Sequence, residues 1–458
     1  MALAAEVKLR ELYEVHDSFY PASGTEKQAR LSELAADVVR EVDLAERDTL
    51  SKAQAAYLRG KALNALDSYS QEAEEHLARA VKLNPTNSDA WNALGVCFWK
   101  KGDYAGAKNC FIGGLEQGKN ADSLRRLSMV LRRLGSSAEE RTANLAESLR
   151  CAREAVALDV NDGESWYMLG NALTTQFFAA THDPEDLRRA LSAYQRAARL
   201  CKQPNPDLFF NRGNVRRYLM ELGPALSDYG RAVALDPGFE AAEEAGADAR
   251  RMVVAIARAV ETKCRIKPKR LASLARSLPT DAASLEAARA AVGKRTVATL
   301  AQLRPGPNRG VVLPLRMLMP VSRPEEPPVS FAMLDSRGDC AVVAVYHLDA
   351  RRAPELAGSS KLFVVVDPTL RVVAPEAGGG AGDAGDAGEA DRAEREGKED
   401  GEQRDARDDE RKVPSDALAA DRLGSAAVAW KAFALVQVLR PEQFLVEGRP
   451  LSAAFAAE

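Results

Sequence analysis

Two hydrophobic patterns divide this chain. Up to about residue 265, apolar side chains return every third or fourth position, as in YLRGKALNAL, AEEHLARAVKL and LRRALSAYQRAARL, which predicts a succession of amphipathic helices. Beyond it the runs shorten. GVVLPLRMLMPV, VSFAMLDSRGDCAVVAVYHL, KLFVVVDPTLRVV, AAVAWKAFALVQV and FLVEGRPL are rich in β-branched residues and bounded by Gly, Pro and Asp, which predicts five or six short strands. KPKRLASLARSL, between the two regimes, reads as a short basic helix or linker.

The helical part repeats itself. AWNALGVCFWKKGDYAGAKNCFIGGLEQG carries Trp91, Leu94, Gly95, Phe98, Ala107 and Phe111 at the spacing of a tetratricopeptide repeat (TPR), with small residues where two helices cross closely. The same frame returns at Trp166, Leu169, Gly170 and Leu173. There the second helix, with Ala190, Tyr194 and Ala197, comes late, which predicts a loop insertion of about eight residues around FAATHDPED. Phe209, Gly213, Ala225, Tyr229, Ala232 and Pro237 form a regular unit, and Gly60, Ala73, Leu77, Ala80 and Pro85 form one upstream. A divergent unit fills the middle through Leu124, Leu127, Ser128 and Leu131.

In such a repeat the second, fifth, ninth and twelfth positions of the first helix face the concave side. Those are Asp122, Arg125, Met129 and Arg132 in the divergent unit, Tyr167 and Asn171 in the next, and Asp207, Phe210, Asn214 and Arg217 in the last. Both charge signs with aromatic and amide groups between them suit a short peptide that carries adjacent basic and acidic side chains. Charged residues on a solenoid are ordinarily just solvated, and Trp91, Trp99 and Trp166 are read as packing residues.

The expected architecture is mainly α: a superhelical TPR solenoid with a C-terminal small all-β OB-like barrel domain. Residues 1–50 would be capping helices, 51–265 about five repeats with a capping helix, and 266–305 a linker with a helix. The barrel would take 306–373 and 416–458. A Gly/Ala run passing into mixed charge occupies 374–415; it cannot bury enough apolar surface to fold and is expected to be a disordered insertion. Its glycines lack the G-K-[ST] of a phosphate loop. OB folds stack bases on aromatic side chains over a basic groove, and Phe331, Tyr346, His347 and Phe363 are the few candidates, equally suited to a core.

Composition excludes more than it selects. Net charge is −3, so nothing in the overall balance demands a nucleic acid or a membrane. Six dispersed cysteines form no C-x-x-C pair, which argues against zinc and a disulfide framework and for a reducing compartment. The four histidines are scattered, and no nucleophile elbow, H-E-x-x-H, Walker or dinucleotide motif occurs. Neither catalysis nor a cofactor is expected. No run of roughly 20 apolar residues marks a membrane span, and MALAAEVKLRELYEVHD lacks the apolar stretch of a signal peptide, so cytoplasm or nucleus is the expected location.

The order GKALN, AVKLNPTNSDAWNALG, FWKKGDYAGAKNCF, SMVLR, DVNDGESWYMLGN and NPDL, followed by an OB-like domain, resembles the tetratricopeptide repeat protein 5 family, closely over the repeats and more loosely over the β domain. The resemblance implies an adaptor. Family members recognise the Met-Arg-Glu start of nascent tubulin at the ribosome and promote decay of tubulin messenger RNA, through an effector scaffold protein that recruits a deadenylase. A second described role bridges transcription coactivators in the nucleus. By resemblance, Arg132 of SMVLR contacts the acidic side chain of the peptide and Asp207 of NPDL faces its basic one; both fall on concave positions of the repeat count. A further acidic groove residue of the family falls at Ala241 here, with Glu240 as its acidic neighbour. The ribosome-facing lysines of the family correspond to Arg79 and Lys82, suited to RNA phosphates, although helix-end cations also complement the helix dipole. Two rivals stand beside this reading: a nuclear coactivator scaffold whose barrel binds DNA, and a chaperone-docking clamp, for which Asn92 and Val96 supply no Lys/Asn pattern.

Overall fold

The computed structural model describes residues 2–21, 24–47, 49–201, 203, 205–281, 283–285, 293–322, 327–346, 348, 356, 361–374, 432–446 and 449–450. His347, the insertion from residue 375 onward and the first half of AAVAWKAFALVQV lie outside the described residues.

Helices pair in chain order. The first pair is α1 (Ala2–Ser18) with α2 (Gly24–Glu46). Five repeats follow: α3 (Lys52–Leu63) with α4 (Gln71–Leu83), α5 (Ser88–Lys101) with α6 (Tyr104–Glu116), α7 (Ala121–Leu131) with α8 (Ala138–Leu158), α9 (Gly163–Gln176) with α10 (Pro184–Leu200), and α11 (Pro206–Tyr218) with α12 (Leu222–Leu235). Then α13 (Glu240–Glu261) closes the stack and α14 (Pro268–Arg276) leads away. Each repeat is locked where a small residue meets a large one. A Cβ added to Gly95 would lie 2.4 Å from the Phe111 ring, and one on Gly170 would lie 2.6 Å from Tyr194. In the divergent unit Ser128 takes that place and hydrogen-bonds Ser148 at 3.0 Å. The indoles of Trp91 and Trp166 donate to the carbonyls of Pro85 and Val160, both at 2.8 Å, and so close the turn behind them.

The insertion in the fourth repeat is not a loop. Phe177–Thr181 continue α9 as a π-helical turn, because Phe177 is buried and its ring meets the edge of Tyr218 at 5.4 Å. A buried aromatic in FFAAT drives the backbone to keep turning.

Among the described residues the β domain has ten short strands rather than five or six: β1 (Thr296–Val297), β2 (Gly306–Pro307), β3 (Val311–Pro320), β4 (Val329–Leu334), β5 (Cys340–Val345), β6 (Leu362–Val366), β7 (Thr369–Val373), β8 (Phe433–Val438), β9 (Phe444–Val446) and β10 (Arg449–Pro450). Its sheet begins at Thr296, inside the stretch read as linker, because Thr296 and Val297 pair in parallel with Val311 and Val312. The meander β3–β4–β5 is antiparallel, β8 adds to β5 in parallel, and β7 pairs with β8. The ring closes because β6 and β7 are two halves of one bent strand: β6 pairs with β3, and only Asp367 and Pro368 separate it from β7. Asp367 makes the bend with a left-handed φ of 48°. Its carboxylate accepts from Gly310 N–H at 2.7 Å and from Arg295 Nη2 at 2.8 Å, which holds it below the usual range. Leu313, Leu315, Phe331, Val343, Phe363, Val436 and Phe444 fill the barrel.

The outer face of this barrel is not free. Val342, Ala344, Tyr346, Phe433 and Leu435 point away from the interior and share one apolar core with Met220, Leu222, Val253, Ile256 and Ala257 of the last repeat and α13. Across that seam Gln437 Nε2 donates to the Leu219 carbonyl at 2.7 Å, buried, and Arg371 Nη1 pairs with Glu221 at 2.8 Å. The barrel and the end of the solenoid therefore share one core.

Candidate functional site

The first helices of successive repeats touch each other, α3 to α5, α5 to α7, α7 to α9 and α9 to α11, and form the inner layer of the stack. Most charges along it are already satisfied. Arg125 pairs with Asp122 at 3.3 Å and also with Asp162, and Arg126 pairs with Asp122 at 2.8 Å. Further along, Arg212 and Arg216 clasp Asp228 in the repeat interior, at 2.5 and 3.0 Å.

Arg132 and Asp207 are different. Arg132 caps the end of α7, and its guanidinium reaches Met168 Sδ at 3.3 Å and Ser128 Oγ at 3.4 Å, with no carboxylate among the described residues in ion-pair range. Loss of solvent pulls its pKa down to about 10. Asp207 lies in the first turn of α11 and has no ion-pair or hydrogen-bond partner among the described residues. The residue is exposed, yet its carboxyl is pushed above the ordinary range, first by partial loss of solvent and then by the charge of Asp236. A desolvated cation and an exposed anion thus stand along the inner layer, and neither has an opposite charge beside it among the described residues.

Between them stands a polar bridge. Tyr167 lies within the fields of both Asp207 and Arg132, and burial raises its phenol to about 12. Tyr194 Oη donates to Asn171 Oδ1 at 2.8 Å, and Asn211 Nδ2 reaches Asn171 Oδ1 at 3.1 Å and Tyr167 Oη at 3.2 Å. The network fixes Tyr167 and Asn171 as a floor between the two charges. Glu164, whose carboxyl is raised by burial, adds negative field at the Asp207 end.

The other expected residues are placed differently. Phe210 packs against Phe239 and Tyr229 at 5.0 and 6.2 Å, and Asn214 accepts from Tyr229 Oη at 2.8 Å, so both support the last repeat. Glu240 opens α13 in an exposed position, and the carboxylate whose charge acts on Asp207 is Asp236 instead. Asp236 ends α12 in the turn before Pro237, outside the inner positions that repeat counting selects, and Asn211 is missed for the same reason. Arg79 and Lys82 are exposed on α4 without carboxylate partners among the described residues.

None of the barrel's aromatic candidates among the described residues is free on its surface. Phe331 and Phe363 are fully buried in its core, and Tyr346 lies in the seam, 5.4 Å from the ring of Tyr218. OB folds bind nucleic acid mainly on the face of their second and third strands, here β4 and β5, and α13 packs against both.

A TPR stack with an inner groove and a docked barrel is the architecture of a scaffold or adaptor protein. The comparisons agree with that class. The family model for the tetratricopeptide repeat protein 5 OB fold domain matches residues 294–380, and a tetratricopeptide repeat model matches 70–129. Tetratricopeptide repeat protein 5 of Homo sapiens is 34% identical over 351 residues, covering 74% of this chain and 80% of its own length. That of Mus musculus is 35% identical over 350 residues, with the same coverages. The chain belongs to the tetratricopeptide repeat protein 5 family.

Proposed function

We propose that this adaptor reads the Met-Arg-Glu start of nascent tubulin at the ribosome and promotes decay of tubulin messenger RNA through an effector that brings a deadenylase. One observation carries the reading: Arg132 and Asp207, two charges of the inner layer without an opposite charge among the described residues, have the signs that an Arg-Glu dipeptide requires. A guanidinium on Asp207 and a carboxylate on Arg132 would each regain a charged partner, and the fork geometry of arginine favours a carboxylate. Tyr167 and Asn171 would support the peptide backbone between them. Exposed Arg79 and Lys82 supply cations for ribosomal RNA phosphates.

The rival reading, a coactivator scaffold with a DNA-binding barrel, loses its usual surface, because α13 covers β4 and β5. The test is capture of stalled ribosomes displaying a tubulin N-terminus, beside ribosomes whose nascent chain begins Met-Ala-Ala. The proposal expects retention of the first set only, lost with Arg132→Ala. Equal retention of both would remove the tubulin reading.

A further inference from the structure

At the opposite end of the inner layer, α1 crosses α3 and, with Asn87, they line an open pocket of about 480 Å³. That is the size of a small-ligand site, roughly 300–1,000 Å³. Leu9 and Leu58, both buried, give it an apolar floor, and the rings of Tyr13 and Tyr57 give it walls. Lys61 Nζ sits between those rings, 5.3 Å from each centroid, and donates to Tyr57 Oη at 2.9 Å. Tyr13 spends its own hydrogen on the Lys61 carbonyl at 3.2 Å.

Counting donors shows what is missing. Lys61 has three N–H groups and uses one, and its ammonium has no carboxylate partner among the described residues. The Arg10 guanidinium has no partner among them either. Tyr57 Oη accepts from Lys61 and keeps its own hydrogen, held on the phenol by burial. Gln54 gives its carbonyl oxygen to Ser51, and Asn87 gives its own to the first turn of α5, so each has amide N–H groups to spare. Glu6 is the one carboxylate among the lining residues, and the charges of Asp89 and Asp122 also reach Tyr57. The lining itself has unused donors and two cations to one carboxylate, over an apolar floor.

We infer that this cavity is a second peptide site, separate from the groove around Arg132, which takes an acidic segment of a partner protein. The carboxylates of the segment lie on Lys61 and Arg10, and an apolar side chain between them lies on Leu9, Leu58 and the tyrosine rings. The cations then gain the partners they lack, and the ring faces help to hold them in place. An adaptor must hold two things at once, and the two ends of the inner layer offer two chemically different sites. The inference does not depend on what binds at Arg132 and Asp207.

The test uses the full chain and a fluorescein-labelled, acetylated and amidated hexapeptide, Leu-Asp-Glu-Leu-Phe-Glu, beside its Leu-Asn-Gln-Leu-Phe-Gln counterpart, read by anisotropy. The acidic probe should bind at least about tenfold more tightly than the amide probe, with an advantage that shrinks in high salt. Lys61→Gln and Arg10→Gln should each weaken it about tenfold, Glu6→Gln should strengthen it, and Arg132→Ala should leave it unchanged. Arg10 is exposed on α1, so Arg10→Gln stays informative even if Lys61→Gln impairs folding, which a thermal melt reveals. Equal binding of the two probes, no binding, indifference to Arg10→Gln, or loss with Arg132→Ala would each overturn the inference.

Discussion

The inner groove of the solenoid and the outer face of the barrel are both surfaces on which their folds commonly hold ligands, yet this chain finishes them in opposite ways. On the barrel, Val342, Ala344, Leu435 and Phe433 meet α13, and the one deeply buried amide there, that of Gln437, spends its N–H on the Leu219 carbonyl. In the groove, Arg132 is largely kept from water while Asp207 stays exposed, and neither has an opposite charge beside it among the described residues. A surface whose polar groups are all matched is structural. A surface that holds charge out of solvent and leaves it unmatched costs stability, which is offset only when a ligand arrives.

The comparison is broken most forcefully at the seam. Ile256→Asp would bury a carboxylate among Val342, Ala344 and Tyr346 and should destabilise the chain by about 4 kcal/mol or more, seen as a large fall in melting temperature. Arg132→Ala should instead leave the melt unchanged or slightly raised, while Met-Arg-Glu binding weakens by about 2–5 kcal/mol in a titration. Asp207→Asn sharpens the same contrast. A carboxyl whose folded pKa is raised above its unfolded value costs stability above that unfolded value and ceases to cost it as pH falls through and below it. Asp207→Asn should therefore raise the melting temperature at neutral pH and lower it relative to wild type by nothing in acid. Wild-type affinity for the basic side chain should decline on acidification, starting above the ordinary aspartate range, and that part of the decline should vanish in Asp207→Asn. The smallest effect is outside the groove. Arg79→Gln with Lys82→Gln should leave peptide binding intact and flatten the salt dependence of ribosome binding by about one to two logarithmic units of slope.

Much of this was legible before any coordinates. The repeats announce themselves because Gly95 and Phe111, or Gly170 and Tyr194, must be small and large together where two helices touch. Counting from those anchors puts Arg132 and Asp207 on the inner layer. Asp236 and Asn211 escape the count because one lies in the turn that closes a repeat and the other beside, not on, an inner position. The π-helical turn at Phe177 was hidden for another reason: an insertion reads as a loop until a buried partner such as Tyr218 is known. The sealed barrel face did leave a trace. VSFAML and CAVVAV have almost no polar positions in alternation, so both faces of β4 and β5 must be covered, but nothing local names α13 as the cover. The bend at Asp367 is similarly local in cause and distant in effect, since it closes a ring whose other strands lie before and after it.

Unpaired charge in the groove, on the reading proposed above, discriminates residue order in a peptide. The most direct test is an anisotropy titration of the full chain with labelled Met-Arg-Glu-Ile and with Met-Glu-Arg-Ile, in wild type and Arg132→Ala. The account predicts at least about a tenfold preference for Arg before Glu in wild type, and its loss in the variant. Equal affinity for the two orders, or a preference that survives Arg132→Ala, would contradict it.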